Sequence, residues 1–111
     1  MESIEVILRG ELRQAMRARD AVATSAIRSA LAALDNAGAV PTDVRAGAVE
    51  DSRVGAGSAD VARRELSHDE ARAIVQREID ERHAAAAELP LSHAEPVRAE
   101  AEVLERIVGR L

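Results

Sequence analysis

Not one phenylalanine, tyrosine or tryptophan occurs among the 111 residues, and there is no cysteine. Any core must therefore be assembled from leucine, isoleucine, valine and alanine. Such side chains fill the space between elements only when the backbones approach closely on small residues, which helices with alanine-rich faces can do. The length supports one such core, so residues 1–111 are read as a single domain.

The apolar residues recur at helical spacing. Ile4, Leu8, Leu12 and Met16 follow one another at steps of four, with Ala15 beside them, and mark one side of a first helix over 4–18. Ser3 is placed to cap it and Glu5 suits the positive end of its dipole. Gly10 in its middle costs about 1 kcal/mol relative to alanine, either for close packing or on the solvent side. Asp20 predicts the cap of a second helix running through Ala23, Ile27, Ala30, Leu31 and Leu34, stopped at Asn36 and Ala37 by a left-handed Gly38. Only Arg19, Asp20 and Ala21 join the two, so they fold back as a hairpin or meet at a sharp angle.

Ser67 and Glu70 form a capping box that starts a third helix ending near Leu89 and Pro90. Ala71, Ile74, Val75 and Ile79 line its apolar stripe, with the pairs Arg77 with Glu81 and Glu78 with Arg82 on its solvated sides. The same box from Ser92 to Glu95 predicts the start of a fourth helix, with Pro96 inside its first turn. There Val97, Ala101, Leu104, Val108 and Leu111 step by four, three, four and three, and Ile107 widens the seam. Between the two pairs, Pro41, Gly47, Ser52, Gly55, Gly57 and Ser58 break every period, and 39–65 reads as a mobile loop or insertion. The predicted fold class is all-α: a small four-helix domain of two helical hairpins joined by a long flexible loop.

Composition removes many activities. Without cysteine there is no thiolate metal site, disulfide or cysteine nucleophile, and without phenylalanine, tyrosine or tryptophan no base or sugar can be stacked on such a ring. All 15 basic side chains are arginine, so lysine-dependent chemistry, from Schiff bases to a Walker phosphate loop, is excluded. No cofactor and no metal are expected. The net charge of −5 is uneven: residues 1–40 balance at zero, 41–65 carry −1 and 66–111 carry −4. The molecule as a whole repels anionic surfaces at long range, although a local basic face can still exist. No segment reads as a signal peptide or membrane span, which favours the cytoplasm.

Few residues invite a chemical role. His68 and His93 each follow a serine at a helix start and His83 lies among charges, with no ligand spacing or nucleophile nearby, so all three read as surface residues. Gly55, Ala56, Gly57 and Ser58 lack the lysine and the preceding strand of a phosphate loop. Arg9, Arg13 and Arg17 are more informative. Steps of four align them along one side of the first helix, and Arg28 on the second extends the patch toward a phosphate backbone. The second candidate surface is the fourth-helix seam of Val97, Leu104, Val108 and Leu111, which could join a partner helix or a second copy in a homo-oligomer.

Three stretches carry a family resemblance. Leu12, Met16, Ala18, Arg19 and Asp20 are followed by Ile27, Arg28, Ala33, Leu34, Asn36 and Ala37. Then Arg64, Glu65, Leu66, Ser67, Asp69 and Glu70 run into Ile74 to Glu78, Glu81 and Arg82. In that order they resemble the N-terminal domain of the GatB/YqeY family, and Ala99 to Leu104 resembles the helix that closes it. The resemblance implies an all-helical, YqeY-like accessory domain related to the GatB tail of the glutamine-dependent aminoacyl-tRNA amidotransferase. It implies tRNA or a tRNA-processing protein as partner. A carbon–nitrogen ligase label with glutamine as amide donor would be inherited from the larger enzyme, because no cysteine or lysine is present to perform that chemistry.

Overall fold

The computed structural model describes residues 2–39 and 64–111, and they are all-α. Four helices follow in order: α1 (Ile4–Arg17), α2 (Ala21–Gly38), α3 (His68–Ala87) and α4 (Leu91–Gly109). They pair as two hairpins, α1 with α2 and α3 with α4, and α2 packs against all three of the others. Most of the expected 39–65 loop, residues 40–63, lies outside the described residues.

Local chemistry sets the helix ends. Ser3 Oγ accepts from the Val6 N–H at 3.1 Å, and Asp20 Oδ1 accepts from the Ala23 N–H at 3.0 Å. The Ser67–Glu70 box is complete, with Glu70 N–H to Ser67 Oγ at 3.0 Å and Ser67 N–H to Glu70 Oε1 at 2.9 Å. Between α1 and α2, Arg19 takes a left-handed φ of 57°. The Arg19 N–H then reaches the Met16 carbonyl at 3.1 Å and the Asp20 N–H reaches that of Ala15 at 2.9 Å, the bond pair of a Schellman motif. One residue, Asp20, thus closes α1 through its backbone and opens α2 through its side chain.

Three terminal expectations are corrected. Gly38 is not left-handed. It is the last, buried residue of α2, and the chain leaves in extended conformation at Ala39. Its carbonyl accepts the Arg64 N–H at 2.7 Å, so the far end of the intervening segment ties off the helix in place of a glycine turn. The second capping box does not form. The helix begins at Leu91 with Pro90 in the capping position, whose carbonyl accepts from the N–H groups of His93 and Ala94, and no side chain caps it. Pro96 consequently stands at the sixth position rather than in the first turn. The Ser92 carbonyl loses its helical donor, at a residue that solvent reaches.

The core is aliphatic throughout. Ile4, Leu8, Ile27, Val75, Ile79 and Leu104 are its largest fully enclosed side chains, and Ala23, Ala26, Ala30 and Ala101 let the helices approach. No polar or charged residue among those described is fully buried. Met16 departs from the expected stripe and is 50% exposed. The reason is rotational: at about 100° per residue, position 16 lies about 120° round from position 4, whereas position 15 lies within about 20° of it. Ala15 is accordingly the buried member.

Candidate functional site

The arginines of α1 occupy its solvent side, opposite Ile4, Leu8 and Ala15. Arg9, Arg13 and Arg17 are all exposed, as is Arg28 on α2. Arg9 Nη2 meets Glu5 Oε2 at 3.1 Å, an i,i+4 pair with both side chains in solvent, so it is weakly held. Arg13 and Arg17 have no acidic partner among the described residues. Arg28 Nη2 lies 3.8 Å from Met16 Sδ, a contact that spans α1 and α2 and joins Arg28 to the α1 face. Together with Arg19, Ala21, Thr24 and Ser25, these two residues line a shallow open depression beside the hairpin turn.

Residues 9–28 hold five arginines against Glu11 and Asp20, a local charge of +3 in a chain of −5. Both carboxylates are engaged. Asp20 caps α2, and Glu11 Oε2 receives Arg110 Nη2 at 3.0 Å from the end of α4. The exposed face is therefore rich in hydrogen-bond donors and poor in competing acceptors, the chemistry that phosphate oxygens require.

The fourth-helix seam is placed differently from its expected role at a partner surface. Leu104 is wholly enclosed, Val108 is buried, and Val97 and Leu111 are half-buried. Leu104, Val108 and Leu111 all pack into the chain's own core. Leu104 and Val108 could reach a partner only by opening the bundle.

Polar groups the sequence places on solvated sides form a shielded cluster in the second hairpin that reaches the first through one hydrogen bond. Arg82 Nη1 meets Glu78 Oε1 at 3.0 Å and Arg82 Nε meets Glu100 Oε1 on α4 at 2.9 Å, while Ser29 Oγ of α2 donates to Glu78 Oε1 at 2.7 Å. These side chains are largely shielded, Arg82 keeping 15% of its exposure. Burial opposes the Arg82 charge, but the bonds from Glu100 and Glu78 outweigh it and raise its pKa. The expected pair Glu78 with Arg82 is thus present but enclosed, and the expected pair Arg77 with Glu81 does not close, both residues being exposed. Spacing could suggest the first contact; only the packing of α2 and α4 over it reveals the rest.

A cleft of about 580 Å³ lies between Ser3 and Ile4, the end of α2, and Arg64 to His68. Its single arginine is already committed, Nη1 to Glu70 Oε2 at 2.9 Å and Nη2 to the Ala37 carbonyl at 3.4 Å. Glu2, Glu5 and Glu65 line the same space, which disfavours an anion. Of the histidines, His68 borders this cleft, His83 Nε2 lies 3.0 Å from Glu105 Oε2 across the second hairpin, and His93 is exposed in the first turn of α4. Among the described residues no three His, Asp or Glu side chains converge on a metal-sized site. No described helix is long and apolar enough to cross a membrane.

No family model matches the chain, and neither the curated proteins nor the solved structures include a match.

Proposed function

We propose that the protein is a YqeY-like, non-catalytic helical accessory domain whose α1–α2 face contacts tRNA. The observation that carries this reading is the pair Arg13 and Arg17, exposed and without acidic partners among the described residues, flanked by Arg9 and Arg28. A guanidinium already committed to a carboxylate gains little by exchanging it for a phosphate, whereas a hydrated one gains the whole contact and releases counterions from the nucleic acid. The motif resemblance points the same way. The domain would serve a tRNA-processing assembly in the cytoplasm by holding its substrate, with no cofactor of its own.

Fluorescence anisotropy with labelled bulk tRNA at 50 mM salt tests the reading. The double variant Arg13→Ala and Arg17→Ala should bind about tenfold or more weakly than the parent, two lost phosphate contacts being worth at least that much. Equal binding by the two proteins, or none by the parent, would reject the assignment.

A further inference from the structure

We infer that the nucleic acid held on this face is double-helical RNA, gripped by its sugar–phosphate backbone without reading of the bases. The inference rests on the tRNA reading above and adds the form of the ligand. Arg9, Arg13 and Arg17 wind along the solvent side of α1, about 6 Å apart along the axis and turned by about 40° at each step. That rise is close to the separation of neighbouring phosphates along one strand, so the row matches a ladder of fixed charges. Arg28 joins it laterally through the Met16 contact, and Thr24 and Ser25 bring hydroxyls to the same depression. The lateral offset is set by the packing of α1 on α2, typically about 8–10 Å between axes. The face therefore offers two rows of donors rather than one.

A single strand is a poor fit to such a surface. It must be ordered on binding, and proteins that bind single strands offset that cost by stacking bases on aromatic rings. This chain has no phenylalanine, tyrosine or tryptophan, and its three histidines are on α3 and α4, not on α1 or α2. A duplex arrives with its phosphates already spaced and its bases hidden, and it is recognised largely by shape and by phosphate and 2′-hydroxyl contacts. Its charge density is also higher, so each neutralised phosphate releases more counterion.

The test compares the full chain's affinity for a blunt RNA duplex of about 16 base pairs, the span of a typical duplex-binding module, with that for a single-stranded oligouridylate of equal length. The duplex should bind about tenfold or more tightly, and two duplexes of unrelated sequence should agree within about twofold. Arg28→Ala should weaken duplex binding, whereas Arg98→Ala, at an exposed position on α4, should not. A single strand bound as tightly as the duplex, or a strong preference between the two duplexes, would overturn the inference while leaving tRNA binding intact. Failure of every RNA to bind would remove both readings together.

Discussion

At the residue scale, two positions in the first hairpin carry avoidable cost. Gly10 lies mid-helix in α1, and a Cβ built there would meet only Arg13 Nη2, at an ordinary 3.7 Å. Neither a close approach nor a special backbone angle requires glycine, so Gly10→Ala should stabilise the protein by about 1 kcal/mol in urea unfolding. Arg19 is the opposite case, an L-residue held at φ 57° where the turn demands it. Arg19→Gly should relieve that strain and also raise stability by about 1 kcal/mol, provided the Schellman bonds stay in place. Retained wild-type stability in both variants would show that these local costs are absorbed elsewhere.

The elements are legible in the sequence wherever a side chain and a period agree. Ser3, Asp20 and Ser67 are capping residues just ahead of apolar stripes, and each makes the bond its position implies. The start of α4 departs from its spacing because Ser92 and Glu95 repeat the box letters, while Pro90, preset to φ −58°, begins the helix before them. Gly38 departs from its local reading because a tie from a residue 26 positions onward, Arg64, leaves no local mark. The candidate arginine face is readable because exposure on a helix follows from spacing. The Ser29–Glu78–Arg82–Glu100 cluster is not, because its shielding is made by three helices meeting.

The box on α3 has a pH signature. The Ser67 backbone N–H, and then the Arg64 side chain, stabilise the ionised form of Glu70 and lower its pKa below the ordinary carboxylate value. A group whose pKa falls on folding adds stability above its unfolded value and loses it as pH drops through the folded value. The stability gap between the parent and Glu70→Gln should therefore narrow as pH falls from about 7 to below about 4, followed by chemical denaturation at each pH. A gap that stays constant would contradict the ionic origin of the box.

On the scale of the whole molecule, the two hairpins are joined by an aliphatic core, and Ser29 of the first bonds to a shielded ionic cluster in the second. Leu104→Ala should cost about 2–5 kcal/mol, with an unfolding midpoint independent of protein concentration because the seam is spent within one chain. Arg82→Ala leaves Glu78 and Glu100 sharing a shielded space without a cation and should cost about 2–3 kcal/mol, more than an exposed pair. With most of its large apolar side chains turned inward, the scaffold keeps its most distinctive outward charge on α1 and α2. The direct measurement of that face is the slope of log affinity against log salt for tRNA, parent beside the Arg13→Ala and Arg17→Ala double variant. The account predicts a slope shallower by about 1.4–1.8 in the variant, two phosphate contacts fewer; parallel lines would contradict it.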